Sequence, residues 1–265
     1  MPLKIITPPA IEPVTLTELK AHLRITHDDE DSILTTYLQA ARMYTETTLC
    51  WRAFIEQELE LVKDYFPRYQ EGSEIIKLPR PPLQSVTSIT YRTRDGTVET
   101  VDAADYIVDT DSEPARIVPA VDETWPSDSL YPVNAVRVRY TAGYPTYYGT
   151  VDTVDTTRAV TRTAGDEFNM DWPAGQQIVI NGVLYQVASV ATTDLLTVTT
   201  APGDQTGAAY SAHEVPTEIR QGILILAGHF FEVREPVVIG TSVMVVPMTV
   251  EALLMPYRAW GGDVG

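Results

Sequence analysis

Apolar residues recur at helical spacing in two segments near the start of the chain. In PVTLTELKAHLRI, Leu16, Leu19 and Leu23 form one apolar stripe, and Thr15 followed by Glu18 is the signature of a capping box. After HDDEDS, a second segment places apolar side chains three and four residues apart up to Tyr44. The pattern predicts a pair of helices, the second of which ends near Cys50 and Trp51.

Alternating patterns follow. FIEQELELV, residues 54–62, alternates apolar and polar side chains, which predicts a half-buried strand. Two further apolar runs flank Asp95-Gly96, a dipeptide typical of tight hairpin turns. Short strands are also predicted around Tyr106–Val108, Arg116–Val118 and Val133–Tyr140. This part of the chain should therefore form β-hairpins.

Residues 146–213 have a different character, because they are rich in Thr, Val, Gly and Asp and show no helical periodicity. QQIVINGVLYQVASVATTDLLTVTTAPG contains three strand runs separated by Asn181-Gly182 and Thr193-Asp194. We interpret this block as a small antiparallel β-unit, either a compact barrel or a sandwich.

Helical patterning resumes after this block. A helix beginning near Pro216 continues into ILILAGHFFEVREP, which is apolar nearly all round, so most of its sides must be covered. A last short helix, in VEALLMPYRAW, is broken by Pro256.

The predicted fold class is α+β. It consists of a small helical bundle (the N-terminal helix pair plus the C-terminal helices) with β-hairpins and an inserted all-β domain resembling a barrel or sandwich. The predicted domains are a first core part at 1–145, the insert at 146–213 and a second core part at 214–265.

Charge and cysteine content narrow the function. The chain has 36 acidic and 19 basic side chains, a net charge of -17, whereas tight duplex binding requires a basic surface. Acidic walls would instead suit a conduit through which DNA slides without sticking. Cys50 is the only cysteine, so no internal disulfide can form and a reducing compartment is expected. We expect neither a signal peptide nor a membrane span.

His229 and Glu232 lie three residues apart, a spacing that puts both on one helix face and could hold a metal. A metal site needs three or four ligands, and the other histidines are scattered along the chain. Because His229 lies among Leu226, Ala227, Phe230 and Phe231, we interpret it as a packed structural histidine.

The remaining candidate chemistry is weak. DTDSE, residues 109–113, begins like a calcium loop, but Pro114 and Ala120 occupy the positions that need Gly and Glu, so a solvated turn is expected. DDED, residues 28–31, is interpreted as acidic capping of a helix start. No nucleophile elbow, Walker loop or dinucleotide fingerprint occurs. We therefore predict that the protein is not an enzyme and uses no metal or cofactor.

Six segments of the chain occur together in one order. They are LTELKAHLRITHDDEDSILTTYLQAA, LPRPPLQSVTSITYRTRDGT, YIVDTDSEPARIVP and AVRVRYTAGYP, followed by VPTEIRQGILILAGHFFEVRE and VPMTVEALLMPYRAW. In this order they resemble the head–tail connector (adaptor) proteins of long-tailed bacteriophages. The resemblance covers roughly residues 10–145 and 214–260, in the family's order. The block 146–213 departs from that pattern and is interpreted as an insertion, with an outer contact to a tail or capsid component as its hypothetical task.

The resemblance implies a structural protein of the virion neck that is assembled in the host cytoplasm. Such proteins form a ring, usually twelvefold, beneath the portal vertex and leave a channel for DNA. The expected partners are the portal protein, further copies of the chain and the next neck protein (a stopper or tail terminator). DNA is expected only as passing cargo, and no membrane partner is expected.

By position, the portal-reaching element would be Val245–Trp260. Its predicted contact residues are Leu253, Leu254, Tyr257, Arg258 and Trp260, because aromatic and Arg side chains dominate interface energetics. Alternatively, Leu253 and Leu254 fold back onto the protomer's own helices. Packing between subunits is predicted for Arg220, His229, Phe230, Arg234 and Glu235.

A second hypothesis is a carbohydrate- or cell-surface-binding β-module on a helical scaffold, as in a tail or baseplate component. Its candidate sugar-stacking residues are Trp172, Tyr185 and Tyr210, all of which lie in the 146–213 block. The same three aromatic side chains could equally form the core or rim of a barrel.

Overall fold

The computed structural model describes residues 2–68, 74–126, 129–233 and 248–259. These residues form a mixed α+β fold, as predicted, and divide into two compact units. Within the described residues, the first unit comprises 2–12, 40–144 and 248–259, and the second comprises 13–39 and 145–233.

The secondary structure alternates short helical stretches with antiparallel strands. The helices are α1 (Leu16–Leu23), α2 (Asp31–Tyr44), α3 (Thr217–Glu232) and α4 (Met248–Leu254). The strands of the first unit are β1 (Leu3–Thr7), β2 (Gln57–Lys63), β3 (Ile76–Lys77), β4 (Leu83–Arg92), β5 (Val98–Thr100), β6 (Tyr106–Asp109), β7 (Arg116–Pro119) and β8 (Val136–Ala142). Those of the second unit are β9 (Thr146–Val154), β10 (Ala159–Gly165), β11 (Gln177–Ile180), β12 (Val183–Thr192), β13 (Leu195–Val198) and β14 (Gln205–His213).

The first unit contains two antiparallel sheets, one of five strands in the order β1-β2-β8-β4-β5 and one of three in the order β3-β7-β6. Apolar side chains from both sheets form one core, in which the Phe66 ring stacks on Trp125 with centroids 5.2 Å apart. The predicted Asp95-Gly96 hairpin turn joins β4 to β5, and Gly96 has the positive φ of 98° that such a turn requires.

One prediction for this sheet was wrong. The alternation in residues 54–62 indicated a half-buried strand, but β2 lies between β1 and β8 and is buried on both faces. Glu60 is only 5% exposed, and its carboxylate accepts a hydrogen bond from Arg137 Nη1 at 2.6 Å and lies 3.4 Å from Arg139 Nη2. The glutamate is buried because arginines on the neighbouring strand compensate its charge, which local alternation does not reveal.

The start of α1 confirms the predicted capping box. The Glu18 amide donates to Thr15 Oγ1 at 3.2 Å, and the Thr15 amide donates to Glu18 Oε2 at 2.9 Å. Lys20 binds Asp28 at 2.5 Å and Asp31 at 2.7 Å, so two carboxylates of the DDED stretch tie the end of α1 to the start of α2.

Residues 146–213 form a closed six-stranded antiparallel barrel in the order β10-β13-β12-β11-β14-β9. The prediction identified β11, β12 and β13 but missed β9, β10 and β14. Asn181 and Gly182, the predicted break between two strand runs, both have positive φ, 49° and 79°, which fits a type I′ turn. Closure pairs β9 with both β10 and β14, so no strand edge of the barrel is left open.

The barrel encloses its own apolar core, with Val151, Val160, Phe168, Ile178 and Leu196 each at most 1% exposed. The chain leaves β14 through Glu214 and enters α3 behind Pro216, as predicted for the first helical turn. α3 contacts α1 within the second unit, and its Arg220 donates through Nε to the Pro13 carbonyl at 2.9 Å and binds Glu18.

Candidate functional site

The C-terminal segment, defined here as the described residues Met248–Ala259, is the clearest candidate for a partner contact. Its helix α4 ends at Leu254, where Met255–Tyr257 form a single 3₁₀ turn containing Pro256. Val250 and Leu254 are buried, at 0% and 2% exposure, whereas Met248 and Met255 are 70% and 64% exposed. The segment is thus fixed on one side and presents apolar side chains on the other.

A buried arginine holds this segment in place. Arg52 Nε donates to the Tyr257 carbonyl at 3.0 Å, and Arg52 Nη1 donates to Glu113 Oε1 at 2.8 Å, with a second bond from Nη2 to Oε2. We call these contacts the Arg52 clamp. The bond from Arg52 lowers the pKa of Glu113 from its ordinary 4.5, so the carboxylate stays ionised and the pair stays charged at neutral pH.

Residues just before Arg52 add two further ties. The Ala259 amide donates to the Cys50 carbonyl at 2.9 Å, and the Cys50 thiol lies 3.9 Å from the Leu254 carbonyl. Burial raises the pKa of the Cys50 thiol to about 11, so it stays protonated at neutral pH and is a poor nucleophile.

The loop that carries Cys50 and Arg52 follows a π-helical turn, Thr45–Cys50, at the end of α2. Glu46 in this turn is 2% exposed; it accepts hydrogen bonds from the Phe54 amide at 2.7 Å and Arg42 Nη1 at 2.9 Å. Burial raises the pKa of Glu46, and Arg42 offsets part of that effect. These contacts fix the turn and therefore the position of Arg52.

A groove of about 430 Å³ lies between the π-helical turn and the C-terminal segment. Its lining includes Leu49, Met248, Ala252, Met255 and Arg258. Exposed methionines beside a cation are suited to binding another protein, because the thioether side chain adapts to irregular apolar surfaces. Among the described residues of this lining, none forms a nucleophile paired with a base.

The predicted portal-contact residues have different environments. Leu253 and Tyr257 are half-buried, Leu254 is buried against the Cys50 region, and Arg258 is exposed. Trp260 lies outside the described residues. The burial of Leu254 makes it an internal anchor of the segment.

The residues predicted to pack between subunits also have different environments. Arg220 is 8% exposed and is engaged by Glu18 and the Pro13 carbonyl, which are contacts inside its own protomer. His229 and Phe230 are half-buried near the end of α3, with ring centroids 6.5 Å apart. Arg234 and Glu235 lie outside the described residues.

The described residues contain no group of three His, Cys, Asp or Glu side chains that could hold a metal ion. The candidate calcium loop is a local turn in which Asp109 accepts bonds from Ser112 Oγ at 2.8 Å and Arg116 Nε at 2.9 Å. The bond from Arg116 lowers the pKa of Asp109 to about 2, so this carboxylate already has a cationic partner. No helix in the described part of the chain is long and apolar enough to cross a membrane.

Two of the three candidate sugar-stacking aromatics are in the barrel core. Trp172 and Tyr210 are 6% and 3% exposed, and Trp172 Nε1 donates to Glu214 Oε1 at 3.1 Å. Tyr147 OH also donates to Glu214, at 2.8 Å, and burial together with this carboxylate raises the pKa of Tyr147 to about 12. Because buried rings cannot stack on a sugar, the barrel-core interpretation holds for these two residues, and the carbohydrate hypothesis loses its main support.

Sequence reasoning missed the residues that hold the C-terminal segment. Arg52 and Glu113 are 61 positions apart in the chain and pair only in the folded structure. The available signal was local and weak: one Arg between Trp51 and Ala53, immediately after a predicted helix end. Met248 and Met255 were also missed, because the prediction favoured aromatic residues.

Residues 13–115 match the family model described as phage gp6-like head-tail connector protein. This range contains α1, α2, the π-helical turn, Arg52 and Glu113. Over residues 13–115 the chain is similar to this head–tail connector family. The family is one of structural connectors rather than enzymes, in agreement with the prediction from the sequence.

The whole fold is similar to chains from gene transfer agent (GTA) particles. One is from the neck of an empty GTA particle computed with C6 symmetry (TM-score 0.60), and others are from the virion of a native GTA particle and from the neck of a native particle computed with C12 symmetry (TM-score 0.55 for each). Each is 19% identical to this chain, and each match covers 100% of this chain and 99% of the other chain. No curated protein sequence matches the chain.

Proposed function

We propose that the protein is a structural head–tail connector in the neck of a tailed phage or phage-like particle. The observation that carries this proposal is the family match over residues 13–115, together with a fold similar over its whole length to chains of GTA particles. The matched segment includes both partners of the Arg52–Glu113 pair, which position the candidate contact segment.

The proposed assembly is a ring of twelve copies beneath the portal vertex, joining the capsid to the next neck protein. The copy number is supported by the neck chain computed with C12 symmetry. Head-to-tail contacts between identical subunits generate a ring when the rotation closes. The barrel of residues 146–213 acts in this proposal as an inserted domain with an outer contact, so its deletion should spare the ring.

The C-terminal segment is the proposed contact with the portal protein. Val250 and Leu254 anchor it inside the protomer, and Met248, Met255 and Arg258 are exposed to a partner. Leu253, Tyr257 and Trp260 remain in the proposal as flanking contact residues. Apolar and Arg side chains around a fixed backbone are typical of energetically important interface positions.

DNA is a passing cargo in this proposal. A net charge of -17 disfavours binding to phosphates, which suits a channel wall that must release DNA. Replacing channel-facing Asp and Glu by Asn and Gln should slow genome ejection, and unchanged ejection kinetics would count against an acidic lumen.

The experiment that tests the function is reconstitution with the portal protein of the same particle. The purified chain should add to the portal as a closed ring of about twelve copies, observable by native mass spectrometry and electron microscopy. A chain that remains solitary beside an intact portal, at concentrations where both are soluble, would overturn the proposal.

A further inference from the structure

One face of the five-stranded sheet carries an excess of positive charge in a strongly acidic protein. Strand register aligns Lys4, Glu60 and Arg139 across β1, β2 and β8, and Arg137 lies two residues from Arg139 on the same face. The Glu60 carboxylate is 2.6 Å from Arg137, 3.4 Å from Arg139 and 4.0 Å from Lys4. Three cations against Glu60 and Glu58, which lies two residues away on the same face of β2, leave a net positive charge on this face.

A groove of about 530 Å³ shares Arg137 with this face and is also lined by residues of the β4–β5 hairpin. Its lining includes Arg92, Val98, Tyr131, Val133 and Arg137, and the described residues that line it include no acidic side chain. The Arg92 guanidinium lies 4.1 Å from the Tyr131 ring centroid, and its Nε donates to the Gly96 carbonyl at 3.2 Å, so the cation is held in the groove wall.

The groove also has an aliphatic component. Val98 and Val133 are 66% and 57% exposed, although both lie beside the sheet core. The carboxylates around the groove have partners of their own. Glu60 accepts from Arg137, and Asp64 accepts from the Asn134 amide at 2.7 Å. Asp95 binds the hydroxyls of its own turn, and Glu99 accepts from Tyr91 OH at 2.5 Å. The site therefore fits a short peptide segment that carries both an aliphatic side chain and carboxylates.

The same chain contains such a segment. Val121 is 81% exposed, more than any other large apolar side chain among the described residues, and Asp122 and Glu123 beside it are exposed. Between Arg116 and Arg137 the sequence has three acidic residues and no basic residue. We infer that the groove receives the Val121–Glu123 turn of a second copy of the chain.

This inference rests on the proposed ring and specifies one contact between its neighbours. The groove and the turn are different surfaces of one protomer, so the contact is head-to-tail, the type that can close into a ring. Val121 would cover Val98 and Val133, while Asp122 and Glu123 would face Arg92 and Arg137. Because both charge pairs lie near the surface, assembly should weaken as salt concentration rises.

The test uses charge-reversal variants of the groove and of the turn, separately and combined. The quantity measured is ring formation on the portal. Arg92→Glu should weaken assembly by at least about tenfold, as should Asp122→Lys with Glu123→Lys, because each places like charges together. Combining Arg92→Glu with Glu123→Lys should restore a large part of the loss. Val98→Glu should also weaken assembly while leaving every arginine in place. It therefore distinguishes loss of the contact from damage to the hairpin by Arg92→Glu.

Arg158→Glu is the matched control, since Arg158 is exposed in the barrel and the substitution changes net charge equally. Full assembly by that control, with loss and rescue in the other variants, supports the inference. Normal assembly by the turn variants, or an equal loss in Arg158→Glu, overturns it while leaving the proposed ring intact. If groove variants lose only binding to added DNA, the inference also fails. A wild-type chain that forms no ring would overturn both proposals.

Discussion

The barrel and the C-terminal segment differ in how they use their apolar side chains. The barrel encloses Phe168, Trp172 and Tyr210, all at most 6% exposed, and pairs every strand with two neighbours. The C-terminal segment buries only Val250 and Leu254, exposes two methionines, and is held by polar contacts to Arg52 and Cys50. The barrel thus buries its own large apolar side chains, whereas the segment is fixed in place and leaves apolar surface for a partner.

The largest effect should come from the barrel core. Phe168→Ala removes a ring that is 1% exposed and should destabilise the barrel by about 3–5 kcal/mol. Hydrogen exchange should show loss of protection in β9–β14, with the C-terminal segment unchanged. Met170→Ala, at a side chain that is 51% exposed, is the matched control and should change stability by less than about 0.5 kcal/mol. An equal loss of protection in the C-terminal segment would contradict the expectation that the two regions are stabilised independently.

The next effect concerns the Arg52 clamp. Arg52→Ala removes the donor that bonds Glu113 and the Tyr257 carbonyl. The free energy of unfolding should fall by about 1–3 kcal/mol, and the loss is limited because Glu113 is partly exposed. Amides of residues 255–259 should exchange faster, and portal binding should fall by about tenfold, which corresponds to 1.4 kcal/mol. Arg158→Ala is the control for loss of an arginine. Unchanged portal binding with a loosened segment would separate the clamp from the docking function.

The two regions should also respond to acid in different pH ranges. Burial, with Arg220 nearby, lowers the pKa of His213 at the end of β14 from 6.5 to about 4. The unfolded state therefore binds more protons between these values, so stability is full above pH 6.5 and decreases as pH falls toward 4. Glu113 has a pKa lowered from 4.5, so the clamp should weaken only as pH falls below 4.5.

Monitoring unfolding of the second unit and protection of residues 255–259 from pH 7 to 3 checks this order. His213→Asn should flatten the upper part of the pH dependence without moving the lower part. A clamp that loosens at pH 6, while the barrel remains unaffected down to pH 4, would contradict the assignment.

The smallest effect on stability is expected at the exposed methionines. Met248→Ala and Met255→Ala should change the free energy of unfolding by less than about 0.5 kcal/mol, since both side chains are more than half exposed. Together they should nevertheless weaken portal binding, because their exposed apolar area is lost from the interface. Calorimetric titration against the portal measures the affinity, and denaturant unfolding of the same variants measures the free energy of unfolding. Equal affinity in the double variant would place the portal contact elsewhere.

The sequence predicted elements whose signals are local. The Thr15–Glu18 capping box, the Asn181-Gly182 turn and the interruption at Pro256 depend on neighbours within a few residues, and each was observed. The strands β9, β10 and β14 were missed because their sequences are rich in Thr, Gly and Ala and show little apolar alternation. Their core residues, such as Val151, Val160 and Tyr210, come together only when the barrel closes.

The candidate site shows the same limit. The position of the C-terminal helix followed from its apolar pattern, but the residues that hold it did not. Glu60 was expected at a polar face and is buried, and Arg52 pairs with a carboxylate 61 residues away. Charge pairs between distant segments leave no periodic pattern, so they become visible only in the folded structure.

The most direct test is electron microscopy of the neck formed by the wild-type chain on its portal. We expect a closed ring of about twelve copies, with Met248, Met255 and Arg258 at the portal contact and the barrel outside that contact. Density showing an isolated protomer, or a ring whose C-terminal segment faces away from the portal, would contradict it.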